Sequence, residues 1–165
     1  MKKKGFTLIE LLIVVAIIGI IVAIAIPNLL AAVQRGRQKR TMADIKTIAT
    51  TWETYYVDYS YYMPGGTCST IDGISLAAST VGISELITEL QPTYITKLPA
   101  NDGWNRPILF FDDGVTAAQG YRIVSYGKNG ADDGEYCGIT TSFDNDITLA
   151  NGQFVEWPEG AQQSK

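Results

Sequence analysis

Histidine is absent from this 165-residue chain, and cysteine occurs only twice. Without histidine, the commonest general base and the commonest zinc ligand are both gone. Cys68 and Cys137 alone are too few for a structural zinc site, and they lie far apart in the chain. Positive charge is also scarce, but only in one part. Beyond Lys46 there are five Lys/Arg against fifteen Asp/Glu, whereas up to Lys46 there are eight Lys/Arg against Glu10 and Asp44. An acidic body of this kind argues against nucleic acid as a partner, because phosphate binding needs clustered cations. It suits a hard divalent cation instead. Catalysis has little to draw on. The adjacent Asp132 and Asp133 are a poor scaffold for the opposed carboxylates of glycoside chemistry, and no enzyme is expected.

What the chain has in abundance is apolar sequence near its N-terminus. From Leu11 to Ile26 every residue is apolar or glycine, and residues 11–34 carry no charge. As a helix, that length crosses the ~30 Å hydrocarbon layer of a bilayer. A cleaved secretory signal is the competing reading, with Ala23-Ile24-Ala25 as its cleavage site. Such signals carry only ~7–15 apolar residues, and a glutamate at the start of the run, Glu10, is out of place in one. Lysines ahead of the run and Arg35, Arg37, Lys39 and Arg40 behind it leave orientation open by charge counting.

Gly5-Phe6-Thr7-Leu8-Ile9-Glu10, opening such a run, resembles the leader of type IV pilins and pseudopilins. The resemblance implies cleavage between Gly5 and Phe6 by a membrane-embedded prepilin peptidase. Phe6 would then be N-methylated and residues 1–5 discarded. It also implies a partner for Glu10, the new Phe6 amine of a neighbouring subunit, aligning subunits as they stack. Read from the residues alone, Glu10 snorkelling to the headgroups stays open. The helix dipole favours an anion in the first turn in either case.

Past the span, Met42, Ile45, Ala49, Trp52, Tyr56 and Tyr59 recur at helical spacing and predict one buried face. The helix is expected from Phe6 to Tyr59, kinked or locally melted at Pro27. Residues 6–34 would lie in the membrane or filament core, and residues 35–63 would be an amphipathic continuation. Tyr55, Tyr56, Tyr59, Tyr61 and Tyr62 read as packing aromatics with wet hydroxyls. Met63-Pro64-Gly65-Gly66 is expected to end the helix, residues 67–82 to form a loop, and Ser84 to cap a short helix through Leu90. Strands are expected at 106–111, 121–126, 147–150 and 153–157, with a turn at 112–114 and a two-residue hairpin turn at Asn151-Gly152. The fold class is α+β, a long helix on a small antiparallel sheet, with residues 64–165 as the head.

Three further segments resemble the major pseudopilin of type II secretion: Tyr94–Pro99, Asp102-Gly103-Trp104-Asn105-Arg106-Pro107, and Tyr121–Gly130. Gly103 stands where that family has a proline. The resemblance implies a homo-oligomeric helical filament, joined by minor pseudopilins and built on an inner-membrane assembly platform. Membrane lipid would hold the helix before assembly, the head would face the periplasm, and the filament would drive proteins across the outer membrane. The two cysteines depart from the pseudopilin pattern and are more typical of pilus-forming pilins. A type IV pilus subunit for adhesion or motility is therefore the alternative. In an exported head, Cys68 and Cys137 read as one disulfide, with two separate buried thiols as the other possibility. A singly anchored binding protein with a calcium-dependent head is a further class.

The acidic loop supplies candidate metal ligands. Asn129, Asp132, Asp133, Asp144 and Asp146 offer the oxygens that calcium takes from flexible loops, at a spacing that is not an EF-hand. A solvated acidic surface is the other reading. The family resemblance implies a structural calcium here, with Asn129 in place of an aspartate and Asp146 matching one.

Overall fold

The computed structural model describes residues 6–62, 69–71, 74–76, 83–112, 118–134 and 137–163. The features expected at Gly5, residues 63–66, Cys68 and residues 113–114 lie outside them. One helix, α1 (Leu8–Tyr59), accounts for 52 residues, which at 1.5 Å per residue is roughly 80 Å. Thr7 caps its start, and Ser60 closes its end in the left-handed region (φ 62°), donating its N–H to Tyr56 O. Pro27 lies inside α1 without interrupting it, so the expected local melting does not occur. Proline removes a single hydrogen bond, and the helix formers on both sides carry the remaining ladder.

The other elements are β1 (Ser69–Ile71), β2 (Ile74–Leu76), α2 (Ile83–Leu90), β3 (Leu109–Asp112), β4 (Tyr121–Ser125), β5 (Gly138–Ser142), β6 (Ile147–Ala150) and β7 (Gln153–Gln163). β1 and β2 form an antiparallel hairpin where a loop is expected. α2 begins at Ile83, so Ser84 sits in its first turn and is not its cap. β3 begins at Leu109, later than expected, because Arg106 and Pro107 belong to the preceding turn, where Pro107 bridges Asn101.

The five-stranded sheet has the order β3-β4-β6-β7-β5. β3, β4, β6 and β7 are antiparallel neighbours, as the sequence predicts. β5 was not foreseen, and it lies parallel to β7 at the edge, making the sheet mixed.

The second half of α1 lies across one face of this sheet. Ile45, Ile48, Ala49 and Trp52 are fully buried and Tyr55 nearly so. Trp52 packs tilted on Tyr121 at 5.0 Å and edge-on to Tyr62 and Phe110 at 6.0 and 6.3 Å. The predicted stripe holds through Trp52. It then passes to Tyr55, leaving Tyr59 exposed and stacked on Tyr55 at 4.4 Å. Register defines two faces. Phe110, Ile123 and Leu149 form one row, and all belong to the core beneath α1. Leu109, Val124, Thr148 and Glu156 form the next row, on the face turned away from α1. Phe111 and Val124 are buried outside the main core, as expected for side chains on that second face.

Candidate functional site

Three features stand apart from ordinary core packing. The first is the leading half of α1. Every large apolar side chain from Phe6 to Val33 is exposed, a surface far beyond the few hundred Å² that a soluble monomer leaves bare. Its N-terminus is a capping box. Thr7 N–H and Oγ1 donate to Glu10 Oε2 at 2.9 and 2.7 Å, and Glu10 N–H donates back to Thr7 Oγ1 at 3.3 Å. Each half of this exchange satisfies a backbone N–H that a helix start leaves unpaired. Glu10 thus has an intrachain partner, Thr7, that the sequence reading did not assign. The signal was present as Thr-x-x-Glu just ahead of an apolar run.

The second feature joins the head to α1 where the helix leaves the apolar half. Asp102 is 2% exposed. Its Oδ1 accepts from the N–H groups of Trp104 and Arg106, both at 2.9 Å, and its Oδ2 accepts from Ser125 Oγ at 2.7 Å. The turn so fixed presses on the helix. Gly103 N–H donates to Thr41 Oγ1 at 2.9 Å, and Trp104 Nε1 donates to Gln34 Oε1 at 2.7 Å. A side chain at Gly103 would collide with the Arg37 backbone, which accounts for glycine at this position. Arg106 reaches the other way and donates to Lys128 O at 2.8 Å. Farther along α1, Gln38 Nε2 donates to Gln162 Oε1 at 3.3 Å, tying the helix to β7.

The third feature is the acidic loop between β4 and β6. Gly127 holds a positive φ of 55° and lies against the backbone of Asp144 and Asn145, bringing the two ends of the loop together. Asp133 sits between two amides, accepting from Asn129 Nδ2 and Asn145 Nδ2 at 3.3 Å each, and its N–H donates to Asp146 Oδ2 at 3.3 Å. Asn129, Asp133 and Asp146 are therefore brought together. Asp132 faces Tyr126, whose hydroxyl lies 3.5 Å from its Oδ2. Asp144 turns to Lys128, at 3.7 Å. Among the described residues, no group of three or more acidic or cysteine side chains is already arranged to hold a metal ion.

One carboxylate of this neighbourhood escaped the sequence reading. Glu156 is 2% exposed and Asp146 3%, and Glu156 Oε1 and Asp146 Oδ1 are buried with no hydrogen-bond partner. A register shift explains how β7 delivers Glu156. Phe154 pairs with Leu149 on the core face, yet Glu156, two residues on, pairs with Thr148 on the other face. The bulge at Val155 reverses the alternation. Burial pushes the Glu156 carboxyl up to about 8, and repulsion from Asp146, Asp133 and Asp132 adds to this. Burial likewise raises Asp146 to about 7, against the pull of the Asp133 N–H and Arg122.

With this geometry described, comparison with known proteins places the chain. Residues 1–26 match the prokaryotic N-terminal methylation motif. Residues 28–141 match the family described as type II secretion system (T2SS), protein G. The chain belongs to the protein G family.

Protein G relatives run along most of its length. The type II secretion system core protein G of Pseudomonas aeruginosa is 28% identical over 91% of this chain and 95% of its own. That of Escherichia coli is 26% identical over 78% of this chain and 84% of its own. A type IV major pilin protein of Myxococcus xanthus is 43% identical, but over only 37% of this chain and 28% of its own. The protein G match takes in the junction at Asp102–Pro107 and the loop through Asp133. It stops before Asp144, Asp146 and Glu156, which complete the acidic neighbourhood from β6 and β7. Cys137 falls inside the match and is exposed just ahead of β5.

Proposed function

We infer that this chain is the major pseudopilin of a type II secretion system, a structural subunit and not an enzyme. The protein G match, together with an α1 whose apolar half lies bare beyond the head, carries the reading. A helix of that kind calls for an apolar surrounding, which lipid supplies before assembly and a bundle of its own copies supplies after it. The membrane is then a reservoir, and assembly draws the helix into a filament core. Contacts that repeat without closing produce an open filament, whose extension drives proteins through the outer membrane.

Finer parts of the reading follow as proposals. A prepilin peptidase cuts between Gly5 and Phe6, and Phe6 becomes the methylated N-terminus. Glu10 exchanges its intrachain contact for the Phe6 amine of a neighbouring subunit. An inner-membrane platform and minor pseudopilins complete the assembly, with the head in the periplasm, where Cys68 and Cys137 pair. Calcium binds the acidic loop through Asp133 and Asp146, with Asn129 and Asp132 alongside. The orphaned buried oxygen of Asp146 fits such an ion, whose charge would offset the crowding of carboxylates and order the loop.

Mass spectrometry of the membrane-extracted protein tests the processing step. A chain beginning at methylated Phe6 is expected; one beginning at Met1 or after Ala25 overturns it. The higher identity to type IV pilins over a short stretch favours the second reading, a surface pilus subunit. Deletion separates the two. Loss of secretion with intact surface fibres is expected, and loss of fibres with intact secretion would install the pilus reading.

A further inference from the structure

Where its apolar run ends, α1 changes character abruptly. Arg35, Arg37, Lys39 and Arg40 fall within six residues of chain, and all four are exposed. No carboxylate lies on α1 between Glu10 and Asp44. Arg40 is drawn to Asp44 at 3.4 Å, whereas Arg35, Arg37 and Lys39 have no carboxylate at ion-pair distance among the described residues. At about 100° per residue, Arg35 and Lys39 leave the helix on one side of the buried Gln38 and Thr41, and Arg37 and Arg40 on the other. The cations thus form a collar, open only where the head docks. Its height is set by the run before it. The 24 uncharged residues 11–34 are about 36 Å of helix, enough to cross ~30 Å of hydrocarbon with some tilt. Arg35 then emerges at the edge of the hydrocarbon, and the roughly 7.5 Å rise to Arg40 matches a headgroup layer about 5–7.5 Å thick on each side. Trp104 of the head stands at the same level, half-buried, with its Nε1 donating to Gln34 Oε1 at 2.7 Å. Indole rings favour that boundary because they combine an apolar body with one polar N–H.

We infer that this collar is a docking surface for anionic phospholipid headgroups, which it gathers around α1 before assembly. The inference rests on the membrane-anchored reading given above and adds the class of lipid and the residues that select it. With the head exported, four cations lie on the side of the span that is ordinarily poor in Lys and Arg. Anionic headgroups supply the counter-charge there. The acidic head of a neighbouring copy is the other source of negative charge, and the shape of the collar favours lipid. Its cations point to both sides of the helix at one level, which a planar lipid surface engages all at once and a single protein partner does not. The collar then acts in two ways. It fixes the depth of α1, so that subunits wait in the membrane at a common height, and it opposes their withdrawal until assembly replaces the headgroup contacts.

The test uses the full chain reconstituted in phosphatidylcholine vesicles that carry a trace of spin-labelled phosphatidylglycerol or phosphatidylcholine. Electron paramagnetic resonance reads the fraction of each label held at the protein. One cation near an anionic surface strengthens association about fivefold, so the wild type should prefer phosphatidylglycerol by at least about fivefold. In the triple variant Arg35→Gln/Arg37→Gln/Lys39→Gln the preference should fall below about twofold, whereas Arg40→Gln, whose charge Asp44 already offsets, should keep most of it. Equal retention of the two lipids by the wild type, or an undiminished preference in the triple variant, overturns the inference. Salt keeps the question answerable if the variant misfolds. Raising it from about 0.1 to 1 M shortens the screening length from about 10 to 3 Å and should abolish the wild-type preference; a preference that survives refutes the collar. Self-association that the triple variant loses, without any lipid preference, would give the collar to a neighbouring copy and overturn the lipid assignment. The pseudopilin reading is tested separately, by the mass of the processed chain and by secretion, and stands if the lipid preference fails.

Discussion

Replacing Gly103 with alanine adds one methyl at the tightest backbone contact between head and helix. The new Cβ would stand 2.8 Å from the Arg37 carbonyl carbon and 2.9 Å from its Cα, and nearer still to the carbonyl oxygen. Carbon atoms in van der Waals contact sit about 3.5–4.0 Å apart, so turn and helix must separate by roughly 1 Å. Neither side yields cheaply, because the obstacle is helix backbone and the turn is held by three bonds to Asp102. Overpacking of this kind costs about 1–3 kcal/mol. Separation also stretches the Gly103–Thr41 bond, worth about 1 kcal/mol. The sum is about 2–4 kcal/mol. For a head of this size that lowers the melting temperature on the order of 10–20 °C. Near-UV circular dichroism of the detergent-solubilised chain reads the transition. Gly36→Ala is the control, because a Cβ there meets nothing within 4 Å. In mid-helix it should be neutral or stabilising by up to about 1 kcal/mol. A Gly103→Ala melt at or above wild type would refute the close approach and the account of glycine at this position.

Two other outcomes follow from the site geometry. Glu10→Val should insert into membranes and assemble poorly, whereas Thr7→Ala, which breaks the capping box and keeps the carboxylate, should assemble; equal assembly defects would assign Glu10 to capping alone. In EDTA, stability should fall as pH rises. Asp146 and Glu156 keep protons in the folded state that the unfolded chain has released, so their contribution is complete below about pH 4 and is lost through about 7 and about 8 respectively. Glu156→Gln removes one of the two titrations and should flatten the fall; parallel slopes in wild type and variant would refute the assignment.

Much of the architecture was legible because its signals are local. An uncharged run of bilayer length, a heptad-like stripe from Met42 to Trp52 and the Asn151-Gly152 turn each dictate structure within a few residues of themselves. Thr7 and Glu10 carry an equally local signal, a Thr-x-x-Glu spacing, but their pairing emerged only from the structure. Less was visible where partners are distant in sequence. β5 reads as polar and unremarkable in Gly138–Ser142, and only a place beside β7 makes it a strand. The short β1–β2 hairpin likewise depends on pairing that composition did not announce.

Chain order alone thus determined a long helix with an apolar first half and an acidic head, because hydrophobic periodicity and charge act over one or two turns. It determined the presence of Asp133 and Asp146, but not their company. Simple alternation puts Glu156 on the core face with Phe154, and one bulged residue turns it to the other side. Register is settled by packing across the whole sheet, so the tertiary structure alone decided that a β7 carboxylate would be buried beside the acidic loop. The same holds for Gly103. Its contact with Arg37 spans more than sixty residues of chain and exists only once the head has closed on α1.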